Sequence, residues 1–302
     1  MDLRQLRALL AVAEHQSFSA AARSLHTVQS NVSTHVARLE RELEVTLIDR
    51  SSGELTAEGV LVVDRARRVL GEMQAIEADV AAARDDIRGE VRLGMIGTTG
   101  RWLLPLLLDT LADTYPNIRL IVTDATTTSL LPQLLADQLD GAVVQLPLRD
   151  PDVEAEQFFD EERIVVAPAD HPLAAATSIS TDELAAHPVL LPPQGNAFRD
   201  AVDRDTDSAL TPLAEVDGMR LLASLAFQGF GPALVPASAT PQWLAGDYRR
   251  IRVDGLSRRE VGYIRRRRTT PSAPTRAVHE TLRDVIRREV TRQDGLHLTI
   301  TD

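Results

Sequence analysis

Gln29, Ser30, Ser33, Thr34, Arg38 and Arg41 fall on one side of a short amphipathic stretch whose other side is Val32, Val36 and Leu39. In a duplex major groove a Gln amide can pair bidentately with adenine, and Ser or Thr can serve several bases or phosphates. Arg38 and Arg50 are of the type that clamps phosphates, which positions a protein without specifying sequence. A solvated polar face would have the same composition, so the face alone leaves both readings open. A second group lies further on. Ile96-Gly97-Thr98-Thr99-Gly100 and Asp124-Ala125-Thr126-Thr127-Thr128-Ser129 each join a strand-like run to a helical one. Gln145 ends a third strand-like run, and Gly195-Asn196 opens another helix. Helix-start amides with nearby hydroxyls can hold a small anion or carboxylate. The same Thr and Ser can equally be helix caps.

The elements around the first group read as helices with short polar joints. Leu3, Leu6, Leu10 and Ala13 share one helical face, and Ser17 can cap a short helix from Ala20 to His26. Ala21 and Ala22 are small enough for two helices to cross closely. A turn at Thr27-Val28 then leads into the stretch that carries Gln29, which is the pattern of a helix-turn-helix. The segment from Arg50 through Ser51, Ser52, Gly53 and Glu54 to Leu55-Thr56 has the turn chemistry of a small hairpin wing. Val62, Ala66, Val69, Met73, Ile76, Val80, Ala83 and Ile87 then step alternately by four and three, a heptad seam that predicts a long helix pairing with a second copy. Beyond residue 89, strand-like and helical runs alternate in the rhythm of a parallel sheet covered by helices.

Composition narrows the chemistry. The 302 residues carry 33 Arg and no Lys against 44 acidic residues, a net charge of −11, with no Cys. Zero Cys excludes disulfides, thiolate-bound zinc, iron–sulfur clusters and a thiol nucleophile. The acidic balance means that nucleic acid would have to be met by a local patch. The first 59 residues hold six Arg and eight acidic residues, so even that segment is net negative. No G-x-S-x-G, Walker A, H-E-x-x-H or strand-following G-x-G-x-x-G occurs, and Gly229-Phe230-Gly231 is a lone G-x-G. Glu14-His15-Gln16 interrupts the N-terminal apolar run, and the run around Leu103 to Leu108 is far shorter than a membrane span. The expectation is a cytoplasmic protein that is not an enzyme, uses no cofactor or metal, and does not engage a membrane.

The first 59 residues resemble the LysR-type transcriptional regulators. The carrying residues are Ser17-Phe18-Ser19-Ala20-Ala21-Ala22 with Leu25, Gln29-Ser30-Asn31-Val32-Ser33, Leu39-Glu40, Leu47-Ile48-Asp49-Arg50 and Leu55-Thr56-Ala57-Glu58-Gly59. Val165–Ala167 with His171-Pro172-Leu173, and Leu222 to Pro236, are similar to later segments of that family. The resemblance implies an α/β chain in three parts. These are a winged helix-turn-helix over 1–58, a dimerising coiled-coil linker helix over 59–88 and an effector-binding domain over 89–302. The last resembles periplasmic binding proteins, with lobe I about 89–162 and 266–302 and lobe II about 163–265. It further implies DNA contact by Gln29, Ser30, Asn31, Ser33, Thr34, Arg38 and Arg50. A small, anionic effector is expected between the lobes at Thr98, Thr99, Gly100, Thr127, Thr128, Gln145, Gly195 and Asn196. The implied partners are double-stranded DNA, further copies in a dimer or tetramer, and RNA polymerase. The alternative is a solute-binding or sensor protein of the same two-lobed fold with no DNA role. Arg249 to Arg268 holds nine Arg against Asp254 and Glu260; an anion or assembly surface and a plain solvated stretch both fit it.

Overall fold

The computed structural model describes residues 1–302 apart from Ser51, Arg268, Thr301 and Asp302. The chain divides into two units, Met1–Asp86 with Ala136–Gln138, and Ile87–Leu135 with Leu139–Asp302. In the first unit, α1 (Leu3–His15) starts in a capping box: Asp2 accepts from the Arg4 and Gln5 amides, and the Gln5 side chain accepts from the Asp2 N–H. Ser17 caps α2 (Phe18–Ser24), and α3 (Gln29–Leu43) follows a turn in which His26 is left-handed, with φ 51°. Ala21 and Ala22 are buried, so the backbone of α2 lies close against α1 and α3. Leu9, Val12, Val32, Val36, Leu39, Leu47 and Ile48 complete this core.

The predicted wing is minimal: a single antiparallel bridge joins Ile48 to Leu55, and the Asp49 amide donates to the Glu54 carbonyl at 2.9 Å. Ser51 lies outside the described residues. Thr56 then ties the wing to α4 (Ala57–Ala82): its hydroxyl donates to the Thr46 carbonyl at 2.7 Å and accepts from the Gly59 amide at 2.9 Å. Only glycine fits at 59, because a Cβ there would sit 2.0 Å from the Leu47 carbonyl oxygen.

Helix α4 differs from the expected span of 59–88. It begins two residues earlier and ends six earlier, at Ala82. The Arg84 and Asp85 amides donate to the Ala81 and Ala82 carbonyls, tightening the last turn, and Asp85 turns left-handed with φ 61°. Ala83 and Ile87 therefore fall outside the helix and outside its seam. Within the helix, Val69 (44%), Ile76 (63%) and Val80 (53%) remain exposed on the predicted stripe.

The second unit holds two six-stranded sheets. Its elements are β1 (Gly89–Met95), α5 (Gly97–Thr114), β2 (Ile118–Asp124), α6 (Thr127–Leu135), β3 (Gly141–Leu146), β4 (Val153–Glu161) and β5 (Arg163–Pro168). Then come β6 (Ser178–Ser180), α7 (Thr181–Ala185), β7 (Val189–Leu191), α8 (Ala197–Asp205), β8 (Pro212–Glu215), α9 (Met219–Phe227) and β9 (Ala233–Pro236). The unit closes with β10 (Tyr248–Asp254), β11 (Arg259–Arg266), α10 (Ala273–Glu289) and β12 (Leu296–Leu298). Lobe I has the order β12-β4-β11-β3-β1-β2 and lobe II the order β6-β10-β5-β9-β7-β8. The chain crosses between lobes at Glu162 and again in the segment 255–258. The expected lobe boundary at 265 is thus corrected: β11 pairs with β3 and β4 and belongs to lobe I.

The Arg-rich stretch is split by this crossing. Arg249 and Arg252 are exposed on β10, Arg259 is buried at the start of β11, and Arg265 pairs with Glu154. Arg268 lies outside the described residues. The stretch is therefore two strands of different sheets, not one continuous basic patch.

Candidate functional site

On α3 the amphipathic division is as the sequence suggests. Val32, Val36 and Leu39 are buried, whereas Gln29, Ser30, Asn31, Thr34 and Arg38 are exposed and Ser33 is half-buried. Gln29 is the first helical residue after Val28, which provides no side-chain cap, so the first amides of α3 are open to an acceptor. Thr34 donates to the Ser30 carbonyl at 2.7 Å, and the Asn31 amide donates to the Thr27 hydroxyl at 3.0 Å. Arg50 is exposed but already partnered: it reaches Glu40 at 3.4 Å and lies over the Phe18 ring, 5.9 Å from its centroid. Glu40 has a second task that sequence reasoning missed. Its other oxygen accepts from the Leu47 and Ile48 amides at 2.9 and 3.3 Å, fastening α3 to the wing.

The second candidate site lies where β1 gives way to α5. Thr98 and Thr99 are not in a loop; they form the first turn of α5, whose N-cap, Ile96, provides no side-chain acceptor. Thr98 is buried and accepts from Arg259 at 2.9 Å. Arg259 also donates to Glu161 through Nε at 2.7 Å, and a second Glu161 oxygen accepts from the Ser238 amide at 3.0 Å. Arg259 and Glu161 are opposite each other in the β11–β4 register and are 5% and 0% exposed. This knot ties the two crossing strands, α5 and the lobe II turn at Ala237–Ala239 into one hydrogen-bonded group.

Among the described residues three buried polar atoms near this joint have no hydrogen-bond partner: Thr99 Oγ1, Trp102 Nε1 and Ser238 Oγ. A buried hydroxyl without a partner costs about 1–3 kcal/mol. Thr99→Val is therefore expected to raise the unfolding free energy by about 1 kcal/mol, read in a urea melt. A fall instead would make Thr99 a structural cap.

Not all the expected effector residues come together. Thr127 accepts from the Gln145 amide at 3.0 Å, so the second joint closes on the end of β3. Thr128 is exposed and shares a hydrogen bond with Thr126 at 2.9 Å. Gly100 packs over Met95. Gly195 and Asn196 bond within their own turn, to Asp200 and Phe198. Arg220 and Arg101 have no role in the sequence reading, and Asp124 enters it only as the first residue of the second turn; Asp124 and Arg220 lie against Gly97 at the α5 joint. Asp124 pairs with Arg220 across the lobes, and Arg101 lies over the Trp243 ring. Burial and the neighbouring Arg220 charge hold the Arg101 guanidinium below its ordinary pKa. Two open cavities of about 300 and 290 Å³ lie elsewhere, around Arg250 and around His279.

Residues 3–60 match the family model of bacterial regulatory helix-turn-helix proteins of the lysR family, and residues 84–287 match that of the LysR substrate binding domain. The chain belongs to the LysR family. It is a LysR-type transcriptional regulator, with a helix-turn-helix ahead of an effector-binding domain, and the alternative without a DNA role falls. OxyR of Escherichia coli K12, a DNA-binding transcriptional dual regulator, is 31% identical to this LysR-family chain over 312 residues, covering 98% of this chain and 97% of that protein. A probable hydrogen peroxide-inducible genes activator of Mycobacterium leprae is 36% identical over 245 residues, 78% of each chain. Full-length OxyR from Pseudomonas aeruginosa, solved as a cysteine-to-aspartate variant, has a TM-score of 0.78 at 28% identity, covering 100% of this chain and 99% of that one. The LysR-family regulator CbnR, solved with its target DNA, has a TM-score of 0.68 at 26% identity, covering 95% of this chain and 99% of that one. Among the described residues no helix is long and apolar enough to cross a membrane.

Proposed function

We propose that this LysR-family chain works in the cytoplasm as a dimer or tetramer, reads a roughly two-fold DNA site with α3, and changes its grip when a small molecule binds at the α5 joint. It acts by binding and catalyses nothing; RNA polymerase is the partner through which it acts on transcription. The exposed polar face of α3, set opposite the buried Val32, Val36 and Leu39, is the observation that carries the DNA reading. Gln29, Ser30 and Ser33 read base edges, with Asn31 and Thr34 beside them, while Arg38 and Arg50 hold phosphates. Binding to DNA from a net-negative domain then depends on placing those few Arg correctly.

The relatives are named for hydrogen peroxide, and one solved relative carries an aspartate in place of a cysteine. This chain has no cysteine at any position. Its signal is therefore a reversibly bound ligand and not the oxidation of a thiol. The ligand surroundings we propose are Thr98, Thr99, Gly100, Thr127, Thr128 and Gln145; Gly195 and Asn196 bond within their own turn in lobe II.

The operator follows from selection out of a random duplex pool. On that duplex, Gln29→Ala should cost about 1–3 kcal/mol per half-site and relax preference at one base pair, as read by mobility shift on single-base variants. Equal weakening on every variant would remove Gln29 from base reading.

A further inference from the structure

The α5 joint already holds an anion, and it belongs to the chain. Asp124 ends β2 in lobe I, Arg220 stands in the first turn of α9 in lobe II, and the Asp124 carboxylate accepts from Arg220 Nη2. A Cβ built on Gly97 would lie 2.7 Å from Asp124 Oδ1 and 2.8 Å from Arg220 Nε. The pair therefore sits directly over the first residue of α5, at a helix end with no side-chain cap. Such an end attracts a carboxylate.

The charges here do not balance. Arg101 makes no ion pair among the described residues; its guanidinium is 5.6 Å from the Trp243 ring centroid and donates to the Ala239 carbonyl at 3.4 Å. Its charge acts on Arg220. Arg259, next along, is neutralised by Glu161. Of the two guanidiniums, Arg220 holds the Asp124 carboxylate, and Arg101, close enough to feel the charge of Arg220, has no carboxylate among the described residues. Asp124 and Arg220 are 45% and 51% exposed, so their pairing is weak and open to exchange. Two residues on from Gly97, Thr99 Oγ1 is fully buried and has no hydrogen-bond partner among the described residues.

We propose that Arg220 is the arm that recognises a small carboxylate effector, and that Asp124 is a built-in competitor holding that arm until the effector displaces it. This rests on the effector reading above and adds the ligand's class. The occupant being replaced is itself a carboxylate, so the arm is already placed for that geometry, and guanidinium binds it through a two-pronged fork. Displacement releases the link between lobe I and lobe II that Asp124 provides. Asp124 sets the threshold: the effector must exceed the pull of a tethered carboxylate before the lobes part.

The test uses the full chain with malonate as probe, followed by tryptophan fluorescence, since Trp243 lies under Arg101. Asp124→Asn should tighten malonate binding about tenfold, a gain that misfolding cannot produce. Arg220→Gln should weaken it at least tenfold, and Arg220→Lys, which keeps charge without the fork, should fall between. Malonamide and sulfate should not compete, and Asp113→Asn, an exposed charge change on α5, should have no effect. Unchanged or weaker binding by Asp124→Asn, full binding by Arg220→Gln, or equal competition by malonamide or sulfate overturns the proposal. Operator binding separates the two readings. If Asp124→Asn gains malonate affinity while operator affinity never responds to malonate, the arm stands and the effector reading falls. If the operator responds but Asp124→Asn gains nothing, the arm falls alone.

Discussion

Glu161→Ala is expected to lower the unfolding free energy by about 3–5 kcal/mol, the usual cost of breaking one half of a buried ion pair. Arg259 would keep its charge at 5% exposure with only the Thr98 hydroxyl beside it, and the Ser238 amide would lose its acceptor. The penalty comes from the charge left behind, not from the worth of the pair. Glu161→Leu with Arg259→Met should therefore recover most of the loss, because no ion is then buried. Urea denaturation of wild type, single variant and double variant makes the comparison. A single-variant loss under about 1 kcal/mol would mean that water reaches Arg259 and the knot is not dry.

Loss of pairing along α4 should have a larger effect still, read on DNA. Val69→Asp with Ile76→Asp puts four carboxylates into the seam of a paired α4, at positions that are exposed in the single chain. Folding of one chain should hardly change, since neither side chain is buried in it. Pairing should fail, because unpaired charge in a dry seam costs several kcal/mol. Operator affinity should fall about 10²- to 10⁴-fold, the gain that linking two reading heads normally gives. Light scattering and mobility shift on the same samples decide it. An unchanged particle size would take the dimer seam away from α4.

Much of the first unit is legible in the sequence because its signals are local. Ala21-Ala22, Ser17 and the alternation of Val32, Val36 and Leu39 lie within single turns of one another, so caps and core faces can be counted off directly. The end of α4 is not legible in this way: the apolar spacing continues to Ile87, while a left-handed Asp85 stops the helix. Strand β4 also escapes, because Val153–Glu161 carries four acidic residues and no simple alternation, and pairing with β11 outweighs that composition. At the α5 joint the hydroxyls of Thr98 and Thr99 are readable, but their surroundings are not. Glu161 and Arg259 are 98 positions apart, and Asp124 and Arg220 are 96 apart. Each of the four looks like an ordinary surface charge until the crossing strands bring it inward or the two lobes bring it across.

Glu40 gives the DNA-reading unit a mechanical property. Its carboxylate grips the Leu47 and Ile48 amides, Thr56 grips the Thr46 carbonyl, and Gly59 packs on the Leu47 carbonyl, so no joint between α3 and α4 is free to swivel. Helix α4 has 26 residues and is therefore about 39 Å long. With α3 fastened at one end by these bonds, α4 has the geometry of a lever. A tilt of about 10° at the far end sweeps α3 through about 7 Å, roughly two base-pair steps of the duplex. With α3 as the helix that meets DNA, small changes of angle would become whole steps along the duplex, with no change in the shape of the reading unit itself.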